Sequence, residues 1–174
     1  GWEGSKLSAT KFSNDEYYYT IGKSLQIEDV IKKHSDIMDE KDPQKKIGLL
    51  VDEWGTWWDE EPGTTPGHLY QQNTMRDAMV AALSLNIFQR HTDRVKMANI
   101  AQIANVLQSM VLTDTKGNGH MVLTPTYHVF RMYNGFQEAT YLPTEVKSDY
   151  IPVEGGHMQN MVDGVIPAVS ASIS

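Results

Sequence analysis

Ile47-Gly48-Leu49-Leu50-Val51-Asp52-Glu53-Trp54-Gly55-Thr56-Trp57-Trp58 is a short apolar run that ends in two carboxylates and then in aromatics around a glycine. Ile47 to Val51 is rich in branched residues and has no polar face. Such a run predicts a strand buried on both sides, as in a parallel sheet covered by helices. In parallel barrels and open α/β sheets the chemistry sits at the carboxyl ends of the strands, where Asp52 and Glu53 fall. Side chains alternate along a strand, so one of the two acids is expected to face the site and the other the surrounding helices. Taken alone, the motif fits a solvated acidic turn equally well.

The rest of the chain supplies the partners of that strand. Acids open a helix at Asp15-Glu16, and Ile21, Leu25, Val30, Ile31, His34, Ile37 and Met38 then recur at three- and four-residue steps. This predicts one amphipathic helix ending before Asp42-Pro43, with the tyrosines 17–19 packing its entrance and His34 in the core. His68 to Gln89 is expected to form a second helix with a broad apolar face, and Arg94 to Ala98 a second strand. The rhythm helix, strand, helix, strand implies a parallel α/β sheet. Between the first strand and the second helix, Asp59 to Gly67 contains two prolines and two glycines and reads as a loop. Asn99 and Asn105, beyond the second strand, are read as loop caps.

Val111-Leu112-Thr113 and Met121-Val122-Leu123 flank a glycine-containing tip and predict a hairpin or an Ω-like loop. Thr124-Pro125 opens a third helix, with threonine as cap and proline at the first position, and His128 on its surface. Ala139 to Pro143 is expected to be a strand, the region from Thr144 loop and edge strand, and Val165 to Ile173 a sandwich-type strand.

Two blocks carry a family resemblance. Asp52-Glu53-Trp54-Gly55-Thr56-Trp57-Trp58 resembles the nucleophile motif of the α-L-arabinofuranosidases of glycoside hydrolase family 51. His91-Thr92-Asp93-Arg94-Val95-Lys96-Met97-Ala98-Asn99-Ile100-Ala101-Gln102 is similar to that family's last barrel strand and the loop after it. The resemblance extends from about Tyr17 to Pro143, with both blocks in the family's order. It implies an α/β fold that is the C-terminal portion of a (β/α)8 TIM barrel (residues 1–136), followed by the first strands of a β-sandwich (137–174). It implies a retaining glycosidase acting on arabinofuranosyl-containing oligo- or polysaccharides. Glu53 matches the nucleophile, and Trp57 and Gln102 match substrate-binding positions. No cofactor is implied, and the family is commonly a homo-oligomer. The family's acid/base glutamate follows an asparagine; no Asn-Glu pair occurs here, and Asn14-Asp15-Glu16 is the nearest approach. The acid/base is therefore expected outside this chain, and the chain alone is expected to be inactive.

Composition narrows the alternatives. The chain has 174 residues, with 40% hydrophobic and 21% charged, an ordinary globular composition. A barrel needs eight strands and about 250 residues, so the visible elements are expected to be part of one. Two strands standing alone would leave an apolar edge unpaired. A net charge of −7, with no run of more than two basic residues, argues against nucleic-acid and anionic-membrane partners. There is no cysteine, hence no disulfide or thiolate metal site, and the six histidines lack metal-ligand spacing. No signal peptide is visible at Gly1, and the compartment stays open between cytoplasm and periplasm. A non-catalytic carbohydrate-binding module using Trp57 and Trp58 is the rival reading.

Overall fold

Ser13 starts the first helix by a reciprocal cap: its hydroxyl accepts from the Glu16 amide at 3.2 Å, and its own amide donates to the Glu16 carboxylate at 2.7 Å. In the computed structural model, which describes residues 6–114, 117–153 and 164–174, this helix is α1 (Asn14–Leu25). A second helix, α2 (Ile27–Lys41), follows at once. The single helix expected over this span is thus broken at Gln26, whose amide donates back to the Lys23 carbonyl. The physical reason is that the halves serve different clusters. Ile21 packs with Val80, Leu83, Val153 and Ile166, whereas Ile31 packs with Trp54, Ala78, Ala81 and Ile87. The α2 contact is narrow. Val30, His34 and Ile37 are exposed, so His34 is a surface residue and not the core histidine its periodicity predicted.

The central element is α3 (Met75–Arg90), which buries ten of its sixteen residues. It starts later than the expected His68 because residues 68–74 form no helix, Leu69 taking a φ of +56°, and the cap is Thr74. One side of α3 covers a two-stranded parallel sheet, β1 (Leu49–Trp54) with β2 (Val95–Ile100). Leu49, Val51, Ala98 and Ile100 pack against the cluster built on α3, and Val95 belongs to it. The opposite sheet face is open: Leu50 and Met97 are each 48% exposed and Ile47 63%. Burial on both sides is therefore not observed, because no described element covers that second face.

Of the two forms expected here, the flanks take the hairpin: β3 (Val111–Thr113) and β4 (Met121–Leu123) pair antiparallel, Leu112 with Val122. The next helix is α4 (Pro125–Tyr133), capped by Thr124 and begun by proline. Residues 139–143 form no strand; Leu142 makes a single bridge to Ile173. Instead, β5 (Tyr150–Val153) pairs antiparallel with β6 (Gly164–Pro167), and this pair packs on α1 and α3. β6 stops at Pro167 because the small residues after it turn to α3. The Asn86 amide donates to the Ser170 hydroxyl at 3.1 Å, and the Ser172 hydroxyl donates to Asn86 and Gln89.

Arg94, 1% exposed, ties the end of α2 to the start of β2. Its guanidinium donates to the Asp42 carboxylate and the Ile47 carbonyl, both at 2.9 Å, and to Asp39. The Asp39 carboxyl is held below its ordinary pKa first by the hydrogen bond from Arg94, and Asp42 first by the amide of Ile47 and then by Arg94. Depressed carboxyl pKa values lend stability that is present above the unfolded value of about 4 and is lost as pH falls through the lower folded values. The thermal midpoint is accordingly expected to drop on acidification below about pH 4, and Asp42→Asn to flatten that drop. Parallel pH profiles for the two proteins would contradict this account of the clamp.

Trp54, the last residue of β1, is 8% exposed and stacks between Phe88 (centroids 5.3 Å, edge-on) and Phe130 (6.0 Å, 13° between planes). Trp54→Ala is expected to cost ~3–5 kcal/mol by denaturant titration, the range for emptying a buried aromatic site.

Candidate active site

The parallel pairing of β1 and β2 sets the carboxyl ends of both strands side by side, with Trp54 opposite Ile100. The register between them shifts twice. From Val51 to Trp54 β1 advances three residues while its partner advances two, from Ala98 to Ile100. An extra residue breaks the two-residue alternation of side chains. Val51 and Trp54 therefore both pack toward α3, and Asp52 and Glu53 between them are both exposed. Strict alternation would have turned one acid toward the helices; the register shift frees both. Among the described residues, no hydrogen bond or ion pair reaches either carboxylate.

The turn behind Glu53 is fixed by a buried polar network. Asp77, in the first turn of α3, is 0% exposed. One of its carboxylate oxygens accepts from the Thr56 hydroxyl at 2.5 Å and the Trp58 indole N–H at 2.7 Å. The other accepts from the Thr74 amide at 2.6 Å and the Thr74 hydroxyl at 3.2 Å. Four donors match the acceptor capacity of a carboxylate, so this charge is buried without an unpaired oxygen. Gln71 contributes a second clasp: its side-chain oxygen accepts from the Trp58 amide at 2.8 Å, and its nitrogen donates to the Thr56 carbonyl at 3.4 Å. Gln108 contributes a third, accepting from the Thr56 amide at 2.9 Å.

The two tryptophans separate by role. Trp58 is 7% exposed; the buried Arg76 guanidinium lies 3.6 Å from the centroid of its ring and 3.8 Å from that of Phe12. It belongs to the scaffold and offers no open ring to a ligand. Trp57 is half-buried, and the Lys6 ammonium sits 4.0 Å from its ring centroid.

Gln102, just beyond β2, is exposed and lines an open groove of about 510 Å³ with Thr65, His68, Tyr70 and Asn105. The 59–70 loop that walls this groove is ordered by its own acids. Glu60 accepts from the amides of Leu69 (2.6 Å) and Gly67 (3.2 Å), which hold its pKa below the ordinary value. Asn105 caps as expected, exchanging two hydrogen bonds with Thr113 at 2.8 and 2.7 Å. Glu53 and Gln102 thus share one edge of the sheet, but neither Glu53 nor Trp57 lines the groove. Gln71, Arg76, Asp77 and Gln108 were not anticipated. Thr74-x-x-Asp77 is a readable capping pattern, whereas a long-range glutamine contact leaves no local signal. Among the described residues, no group of three His, Cys, Asp or Glu side chains could hold a metal ion, and no helix is long and apolar enough to cross a membrane.

Fold and site together define an α/β chain that carries its candidate chemistry at the carboxyl ends of parallel strands. Residues 52–169 match the family described as the α-L-arabinofuranosidase C-terminal domain, and the chain belongs to that family. It is 60% identical, over all of its 174 residues, to an intracellular exo-α-L-arabinofuranosidase of Bacteroides ovatus, of which it covers 32%. A crystal structure of the GH51 arabinofuranosidase of Xanthomonas axonopodis pv. citri superposes with a TM-score of 0.87 at 47% identity, covering 99% of this chain and 32% of that one. The α-L-arabinofuranosidase of Thermotoga maritima shares the fold, with a TM-score of 0.71 at 22% identity over 92% of this chain and 33% of that one. The chain spans about a third of the length of these relatives.

Asp77→Ala would strand the Thr56 hydroxyl, the Trp58 indole and the Thr74 amide together. A loss of ~3–5 kcal/mol is expected in chemical denaturation, as for other broken buried charge networks. A loss below ~1 kcal/mol, the worth of one ordinary hydrogen bond, would show that the network does not carry the turn.

Proposed function

We propose that this chain supplies the nucleophile side of a retaining α-L-arabinofuranosidase, with Glu53 as the nucleophile. The observation that carries the reading is the exposed Glu53 carboxylate at the end of β1, without a partner among the described residues and held on a clamped turn. The family membership and the relatives' names support the substrate class, terminal α-L-arabinofuranosyl residues on oligo- or polysaccharides. The open face of β1 and β2, with Leu50 and Met97 half exposed, suits the remaining strands of a (β/α)8 barrel. In this reading residues 1–136 complete the barrel and 137–174, with β5 and β6, begin a β-sandwich.

The chemistry follows from what two carboxyl groups do in a retaining glycosidase. The Glu53 carboxylate attacks the anomeric carbon and forms a glycosyl ester. A carboxylic acid ~5–5.5 Å away gives its proton to the departing oxygen, then takes one from water as that water breaks the ester. The Glu53 oxygen leaves as carboxylate, and the anomeric configuration is retained after two inversions. The second carboxyl lies on another part of the barrel, since no residue here matches it. Trp57 contributes an aromatic wall and Gln102 a hydroxyl-binding amide. No cofactor enters these steps.

Two outcomes are expected. First, the chain as it stands releases no aryl leaving group from an aryl α-L-arabinofuranoside; the chain completed by its acid/base portion does, and becomes esterified at Glu53. Glu53→Gln abolishes both turnover and labelling, and full turnover by that variant would refute the assignment. Second, Trp57→Ala weakens substrate binding by ~1 kcal/mol or more, the worth of a lost aromatic contact. If Glu53→Gln changes binding alone while turnover never appears in the completed protein, the non-catalytic carbohydrate-binding reading stands instead.

A further inference from the structure

We infer that Gln108 is a positioning residue that aims Glu53 through the backbone of the turn following it; the inference rests on Glu53 being the nucleophile. Gln108 is 0% exposed. Its oxygen accepts from the Thr56 amide at 2.9 Å, and its nitrogen donates to the Asp77 carbonyl at 2.7 Å and the Thr126 hydroxyl at 3.1 Å. One amide thereby joins the turn after β1, the first turn of α3 and the first turn of α4. A residue that only filled this space would be apolar, because burying an amide is unfavourable unless its hydrogen bonds are made.

Two further contacts fix the backbone between this amide and Glu53. Gly55 has a φ of +132°, and a Cβ there would lie 3.2 Å from the Gln108 side-chain oxygen and 3.4 Å from its Cβ. The turn thus passes so close to Gln108 that a side chain at 55 would press on it, and the φ of +132° disfavours one in any case. On the other flank, Trp54 is anchored by Phe88 and Phe130, and its carbonyl accepts from the Ala101 amide at 2.9 Å. Residues 54, 55 and 56 are each held, by ring packing, close approach and hydrogen bond in turn. Glu53 itself is exposed, with no partner among the described residues to orient it. What this chain fixes is the point and direction from which the side chain leaves the backbone, its Cα–Cβ bond, and Gln108 holds that backbone from the buried side.

The test uses the chain completed by its acid/base portion and an aryl α-L-arabinofuranoside. Gln108→Met keeps the length and removes all three hydrogen bonds. For folded protein, kcat and the rate of Glu53 esterification are expected to fall about 10²-fold, the effect of a misplacement near 1 Å, while KM changes by less than about threefold. A merely structural role would lower the melting temperature and leave kcat of the folded fraction unchanged, and that result overturns the inference. If Gln108→Met does not fold, Gly55→Ala carries the test at an exposed position; its φ of +132° and its Cβ against Gln108 both shift the turn, so kcat is expected to fall with KM preserved, and an unchanged kcat overturns the inference. Glu53→Gln in the same assay separates the two levels. If it retains turnover, the nucleophile assignment fails and this inference with it. If it is inactive while Gln108→Met is normal, only the positioning role fails.

Discussion

A fully buried carboxylate, Asp77, is the constraint on which the arrangement of this chain turns. Removing it from water would be prohibitive without partners, and its position at the start of α3 supplies the first of them. Thr74 caps the helix through it, as local sequence requires. The remaining acceptor sites reach out of the helix and draw in Thr56 and Trp58 from the turn after β1. A helix cap and a loop anchor are therefore one object. The turn cannot move without breaking the cap, and the helix cannot fray without releasing the turn. Arg76 reinforces this from the next position, its guanidinium held between Trp58 and Phe12.

The register shifts solve a separate problem. A regular strand gives one face to the core and the other to the site, so consecutive acids would be divided between them. By advancing one residue further than β2 between Val51 and Trp54, β1 keeps Trp54 in the core and leaves Asp52 and Glu53 both outside. The reverse shift lies earlier: Leu49 pairs with Val95 and Leu50 with Met97, so β2 carries the extra residue there. The two irregularities compensate, and both strands end level. That is what sets Glu53 and Gln102 on the same edge.

Much of this was readable from local chemistry. The hairpin pairing, the Thr124-Pro125 helix start and the two parallel strands all follow from patterns a few residues long. The misreadings share one cause, which is that periodicity reports amphipathicity and not which neighbour is available. His34 lies on an apolar stripe of α2 that finds a partner only around Ile31. The helix break at Gln26 exists because α1 and α2 serve different clusters, a fact of tertiary structure alone. Residues 139–143 have strand composition, yet only Leu142 meets a partner. The serines near the end suited an alternating strand and instead bond to α3. The glutamines were invisible for a related reason: Gln71 and Gln108 act over separations of 13 and 52 residues, where sequence leaves no period to read.

Order in this chain is distributed unevenly about the sheet. Behind the edge, the turn 55–58 is bound by Gln71, Asp77 and Gln108, all at or below 1% exposure. In front of it, the carboxylates and the apolar residues Leu50 and Met97 face outward. In the reading proposed for Glu53, this asymmetry suits a group that must be aimed. Hydrogen bonds to a carboxylate favour its charged form, the form that attacks, and among the described residues Glu53 receives none. In the proposed reading this chain holds the backbone under Glu53, and the donors that keep the carboxylate ionised belong to the part of the barrel that covers the open face.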